Sequence, residues 1–324
     1  MKLTLSVPSK TFLIGEYLAL FGGPSLVANT GPRFSADFNL KGRGKWGRIH
    51  PDSPAGQWIQ HNLDVFEDVD IDFKDPYAGA GGLGGSSAEF VMVYVFAELV
   101  RQKLGEGIKQ LNPQKMWIDY RSLFETSQQE WLPSGADIIG QMVGGITEFE
   151  PDPFRIKKHT WNFENISFVI LKTENKVKTH EHLRDLGELD TDNFKAIAKQ
   201  AVNAMNDSDQ LLFVKSIEQY QSLLQEQKLV CRETVSLVNN LKGSDNIIGV
   251  KGCGALGADT LLVLCEKGNV DRVQSMAPVV GLKYVASDQD LGGGLKVEFD
   301  YAFNRQQQAI QTKFINDEQR LDIR

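Results

Sequence analysis

Between Gly79 and Gly85 the chain reads Gly79-Ala80-Gly81-Gly82-Leu83-Gly84-Gly85, five glycines in seven residues. Ser86-Ser87-Ala88-Glu89 follows and leads into the apolar run Phe90-Val91-Met92-Val93-Tyr94-Val95-Phe96-Ala97. Packing alone does not call for such a glycine run. Glycine loses more backbone entropy on folding than any other residue and reaches φ > 0 without steric cost, so the run is an irregular loop that admits close approach to the backbone. The apolar run is long enough for a buried helix, with Ser86 or Ser87 as its N-cap and Glu89 in its first turn. A helix N-terminus offers unpaired N–H groups and the positive end of a macrodipole. A glycine loop feeding such a terminus is an anion site, and phosphate is the commonest anion with that requirement. The competing reading is a flexible loop ahead of a core helix.

Composition narrows the partners. The 324 residues leave room for two domains, and 41% hydrophobic with 24% charged residues suit a globular chain with a real core. A net charge of −7 argues against nucleic acid as the main partner, while leaving room for a local basic site. The three cysteines, Cys231, Cys253 and Cys265, are odd in number and lack metal-ligand spacing, which points to a reduced, cytoplasmic compartment. The N-terminus, Met1 to Pro8, has no apolar core of a signal peptide. No apolar run approaches the ~20 residues of a membrane span.

Along the chain, residues 3–40 are β-rich. Leu3–Val7, Lys10–Ile14, Ser25–Asn29 and Phe34–Phe38 read as strands, and Asp68–Phe73 as an edge strand. Helices are expected at 57–66, 86–104 and 113–129, with a short one opened by Pro133-Ser134-Gly135-Ala136-Asp137 and closed near Gly144-Gly145. Strands follow at 146–150, 156–159 and 166–171, then a mostly helical stretch from Thr179 to Leu241. Strands at 247–250, 260–264, 283–286 and 295–299, with a helix at 270–276, complete the pattern, and Phe303–Arg324 reads as a polar surface helix. This order predicts two α+β domains, 1–165 and 166–324.

Two stretches match G-x-G-x-x-G, at Gly79-Gly81-Gly84 and at Gly252-Gly254-Gly257. A dinucleotide fold needs a strand, this loop, a helix and a further strand ending in an acid. The first match is followed by two helices and the second by a strand, so neither qualifies. The P-loop pattern G-x-x-x-x-G-K-[ST] and the hydrolase elbow G-x-S-x-G are absent. Three other clusters remain. They are Pro8-Ser9-Lys10 with Gly15-Glu16-Tyr17; Pro133-Ser134-Gly135-Ala136-Asp137; and Lys251-Gly252-Cys253-Gly254-Ala255-Leu256-Gly257-Ala258-Asp259. Singly, each has a structural reading: a lysine at a strand edge, an acid favoured in a first helical turn, a tight turn.

Together with Gly82-Leu83-Gly84-Gly85-Ser86-Ser87-Ala88, and in this order, they resemble the GHMP kinases. That family carries P-x-K with a following G-E-[HY], then P-x-x-x-G-L-G-S-S-A, then K-x-x-G-A-G-G-G. The resemblance spans residues 7–265. The second motif here is one glycine longer, and the third has Leu256 and Ala258 where glycine is usual. Gly15-Glu16-Tyr17 and Asp259 look like the phosphomevalonate kinases of the family; Pro133-Ser134-Gly135-x-Asp137 also fits mevalonate kinase.

The resemblance implies a two-domain α+β fold, with a ribosomal-protein-S5-like N-terminal domain and a ferredoxin-like C-terminal one. It implies transfer of the ATP γ-phosphoryl group to a small molecule of isoprenoid biosynthesis, phosphomevalonate or alternatively mevalonate, with Mg²⁺. A non-catalytic ATP-binding protein on the same scaffold is the further alternative. Gly81, Gly82, Leu83, Gly84, Gly85, Ser86 and Ser87 would hold the ATP phosphates. Ser86 or Ser87, with Glu130, would face the metal, Glu125 being a second carboxylate to consider. Asp137 would take the proton of the acceptor hydroxyl or orient that hydroxyl, and Lys10 would stabilise the developing oxyanion or depress the pKa of the nucleophile. Glu16, Tyr17, Ser134, Gly135, Gly254, Ala255 and Gly257 would complete the substrate side. The cation-rich cluster Lys176, Lys178, Thr179 and His180 would suit a phosphorylated acceptor, or be a solvated helix start.

Overall fold

The alternation at Leu3–Val7 does not stop at Pro8. In the computed structural model, which describes residues 2–79, 81–102, 111–125, 132–173 and 189–299, it runs on as one strand, β1 (Lys2–Ile14). The segments at 25–29 and 34–38 likewise merge into β2 (Ser25–Asn39). The sequence divides each strand at a proline, Pro8 and Pro32. The two fall opposite one another at the irregularity where pairing jumps from Val7↔Phe34 to Ser9↔Thr30. A residue without an N–H is tolerated where the ladder is already interrupted, so both strands survive.

This long hairpin is the frame of the first sheet. The first half of β2 pairs with β4 (Gly145–Glu150), which pairs in turn with β5 (Arg155–His159), and the second half pairs with β3 (Asp70–Lys74). On the other side β1 pairs with β10 (Lys296–Phe299), so the last described strand returns to the first. All these pairings are antiparallel. Helices α1 (Pro54–His61), α2 (Leu63–Phe66), α3 (Gly85–Arg101), α4 (Pro113–Glu125) and α5 (Ala136–Val143) supply the partners for its apolar face. The α3 run is buried all round from Phe90 to Ala97, the mark of a central rather than a surface helix. Phe38 stacks on Phe96 with centroids 4.3 Å apart, joining sheet to helix.

The second sheet has the order β7 (Ile247–Cys253), β8 (Thr260–Glu266), β6 (Ile166–Lys172), β9 (Lys283–Ser287), again antiparallel. Helices α6 (Thr191–Asp207) and α7 (Gln210–Glu226) start on the side-chain caps Asp190 and Asp209 and cover one face. Helices α8 (Arg232–Lys242) and α9 (Val270–Met276) pack with Val169, Leu171, Leu261 and Val263 in a separate cluster. The cluster under α6 and α7 also takes in Leu13, Leu26, Ala28 and Ile146, so the hairpin of the first sheet shares a core with the second. Among the described residues no helix is long and apolar enough to cross a membrane. The expected C-terminal helix at 303–324 lies outside the described residues.

Candidate active site

The glycine loop docks directly on the first strand. The Lys10 amide donates to the Leu83 carbonyl at 3.0 Å. Gly84 follows with φ +91°, and a Cβ there would sit 2.8 Å from Cγ of Lys10 and 2.8 Å from Nε2 of Gln141. Only glycine fits both that backbone and that space. Gln141, wholly buried on α5, donates to the carbonyls of Pro8 and Gly84 at 3.0 Å each. One amide thereby joins the first motif, the second motif and α5.

Helix α3 begins at Gly85, with Gly84 as a left-handed N-cap and no side-chain capping bond. This corrects the expectation that Ser86 or Ser87 caps the helix. Both serines already lie inside the first turn, where their hydroxyls cannot meet the N2 or N3 amides. The Ser87 hydroxyl instead donates back to the Gly84 carbonyl at 3.1 Å and is buried, whereas Ser86 is exposed. The first helical bond is Ala88 N–H to the Gly84 carbonyl at 2.9 Å. The amides of Gly85, Ser86 and Ser87 therefore precede the hydrogen-bonded turns, the arrangement that binds anions. Glu89, one turn further, has its carboxyl pushed up to about 7 by burial, against the pull of Arg48, with Asp75 adding to the rise.

Asp137 sits in the first turn of α5 and is half-buried. It lies four residues before Gln141, on the same face of α5. Its turn is set by Gly135, φ +73°, whose missing Cβ leaves room for the Trp117 ring. The Trp117 indole donates to the Ser134 carbonyl at 2.7 Å, and Arg121 lies 4.7 Å from the Trp117 ring centroid. Lys10 and Asp137 make no direct ion pair with one another among the described residues. Nζ of Lys10 lies 5.1 Å from the centroid of the Phe12 ring.

The third cluster closes on the second. A Cβ on Gly82 or on Gly254 would collide with Asp259, so the carboxylate is wedged between the two glycine loops. Ala255 and Gly257 lie in a 3-10 turn (Ala255–Gly257) between β7 and β8. The Thr173 hydroxyl donates to the carbonyls of Ala258 and, at 3.2 Å, Asp259.

A scan of protein-family models finds no match to the sequence, and a search of curated proteins finds none either. Solved structures do match. The Lin0012 protein from Listeria innocua superposes with a TM-score of 0.72 at 15% identity, covering 93% of this chain and 100% of that one. Streptococcus pneumoniae phosphomevalonate kinase in complex with phosphomevalonate and AMPPNP gives 0.68 at 14% identity, covering 88% and 98%. L. major mevalonate kinase in complex with R-mevalonate gives 0.65 at 16% identity, covering 86% and 94%. Galactokinase and homoserine kinase structures match as well. The chain has the GHMP kinase fold.

In that fold the chain brings Lys10, Gly82–Ser87, Gln141 and Asp259 into one contiguous arrangement, with Asp137 one helical turn away. Glu16 and Tyr17 end on the third cluster. Glu130, Lys176, Lys178, Thr179 and His180 lie outside the described residues. Gln141, Trp117 and the Glu16–Lys251 pair escaped the sequence reading. The one local signal was the four-residue step from Asp137 to Gln141.

For a magnesium ion, the described residues hold no cluster of three His, Cys, Asp or Glu side chains. The exposed Ser86 hydroxyl beside the loop could offer a single oxygen. Such a set fits an ion carried in by a nucleotide, coordinated mainly by phosphate oxygens and water, rather than one caged by protein.

Proposed function

We propose that this protein is an ATP-dependent small-molecule kinase that phosphorylates an acceptor of isoprenoid biosynthesis, 5-phosphomevalonate in the first place. The observation that carries the reading is the junction at Gly84, where a left-handed glycine and the start of α3 meet Lys10 and the helix bearing Asp137. Phosphoryl transfer needs positioning and charge neutralisation more than covalent chemistry, and this junction supplies both.

The amides of Gly85, Ser86 and Ser87 bind and orient the ATP phosphates. The Ser86 hydroxyl would face a Mg²⁺ ion brought with the nucleotide, which would supply neutralisation of phosphate charge. The acceptor oxygen forms a bond to the γ-phosphorus as the bond to the ADP oxygen breaks, and ADP leaves. Where the acceptor is a hydroxyl, Asp137 takes its proton and Lys10 stabilises the negative charge that develops on the oxygen. Where it is a phosphate, already ionised, Asp137 matters less.

The phosphomevalonate reading is supported by Gly15-Glu16-Tyr17, by Asp259 and by the likeness to the S. pneumoniae enzyme. Mevalonate is the second acceptor, favoured by the Ser134-Gly135-x-Asp137 turn and by the likeness to a mevalonate-bound structure. A coupled ADP-release assay with Mg-ATP, run in parallel on mevalonate, 5-phosphomevalonate, homoserine and galactose, tests it. Turnover on phosphomevalonate alone is expected. Turnover on mevalonate alone transfers the assignment to the second acceptor. Absence of turnover on all four, with ATP still bound, overturns both acceptors and leaves a different acceptor or a binding role.

A further inference from the structure

Glu16 and Tyr17 follow the end of β1, and both side chains end on the third cluster. Glu16, its side chain 7% exposed, pairs through Oε1 with Nζ of Lys251, which is wholly buried. The same ammonium donates to the Gly252 carbonyl at 3.0 Å and to Sγ of Cys253 at 3.4 Å. It also lies 6.0 Å from the Tyr220 ring centroid. Tyr17, also buried, accepts the Leu256 amide on its phenol oxygen at 3.0 Å.

Leu256 is the residue in need of a hold. Its φ of +51° and ψ of +24° are left-handed, a conformation that costs a non-glycine residue about 1–2 kcal/mol. Strain of this kind persists only where the surroundings over-determine it. Here they do: the Leu256 amide is bound by Tyr17 and its carbonyl accepts the Cys231 amide at 2.9 Å. Three residues later comes Asp259, the wall behind Gly82 of the phosphate loop.

We infer that Glu16 and Tyr17 are positioning residues, a double latch that holds the 252–259 loop so that Asp259 backs the phosphate loop, and that the latch sets the nucleotide affinity of the site. The second half of this statement rests on the nucleotide-binding reading above; the first half does not. Tyr17 is the cleaner half to cut, because Phe keeps the ring in its packed place and removes only the oxygen.

Tyr17→Phe, Tyr17→Phe/Leu256→Gly and the unaltered protein are compared by two measurements. Amide hydrogen exchange of peptides covering 252–259 reads the latch without any ligand. Titration calorimetry with Mg-AMPPNP reads nucleotide affinity. In Tyr17→Phe the exchange of 252–259 is expected to quicken and the affinity to fall about fivefold, the equivalent of roughly one net hydrogen bond. Leu256→Gly, which adopts the same φ without strain, is expected to restore most of the affinity in the Tyr17→Phe background. Unchanged exchange at 252–259 overturns the latch. Faster exchange with unaltered affinity overturns the positioning role. Failure of the unaltered protein to bind Mg-AMPPNP overturns the nucleotide reading and the affinity half with it, and exchange then decides the latch by itself.

Discussion

Replacing Gly84 by alanine asks two things of the site at once, and Gly79 separates them. Both glycines have positive φ, +91° and +80°. Either substitution therefore costs about 1–2 kcal/mol in left-handed strain. At Gly79 a Cβ meets nothing within 4 Å, so the cost ends there. At Gly84 the Cβ would lie 2.8 Å from Cγ of Lys10 and 2.8 Å from Nε2 of Gln141. Cγ of Lys10 is close to its own backbone and cannot swing clear, so the Gln141 amide must give way. Its two 3.0 Å hydrogen bonds, to Pro8 and Gly84, are worth about 1 kcal/mol each. The expected loss is therefore ~3–4 kcal/mol for Gly84→Ala against ~1–2 kcal/mol for Gly79→Ala. Urea unfolding reads it as a lower midpoint at unchanged slope. Because Gln141 then lets go of Pro8 and of Gly84 at the start of α3, Mg-AMPPNP binding should weaken in Gly84→Ala and not in Gly79→Ala. Equal losses for the two variants, within about 0.5 kcal/mol, would refute the claim that Gln141 and Lys10 are packed against the loop through Gly84.

With mevalonate as acceptor, Asp137→Ala should lower kcat by ~10²–10⁴-fold while leaving Mg-AMPPNP affinity near that of the unaltered protein; full activity would remove Asp137 from the chemistry. Lys251→Met leaves the Glu16 carboxylate buried without its partner, and should cost about 3–5 kcal/mol of stability by urea unfolding, much of it recovered in Glu16→Gln/Lys251→Met. Burial lifts Glu89 from its ordinary 4.5 to about 7, so the folded chain keeps this proton to higher pH than the unfolded chain. Stability therefore falls as pH rises from 4.5 toward 7 and levels off outside that window, and Glu89→Gln should flatten this part of the urea-midpoint profile and raise the midpoint near neutral pH.

Much of this site could be read along the chain because its parts are local. Five glycines before an apolar run make an irregular loop and a buried helix in any context, and α3 begins where that run does. Asp137 in a first helical turn follows from Ser134-Gly135 and the apolar residues behind them. What misled the reading was the serine pair. Ser86 and Ser87 have the composition of an N-cap, but Gly84 can adopt the left-handed cap that opens the helix one residue before them. The breaks read between Val7 and Lys10 and between Asn29 and Phe34 also closed, because Pro8 and Pro32 sit where the ladder is already bulged and both strands run through.

The amino-acid sequence by itself determined the elements and the chemistry each could carry. Glycine runs, helix starts and the alternation of strands depend on neighbours a few residues apart, and those neighbours are fixed by covalent order. Only the tertiary structure decided which of these pieces touch. Gln141 joins Pro8 to Gly84, Asp259 wedges against Gly82, Glu16 finds Lys251 across more than two hundred residues, and β10 returns to β1. Each of those contacts is a choice among many equally polar or equally small partners. It is made by the packing of two sheets around shared cores, and packing has no signature in local spacing.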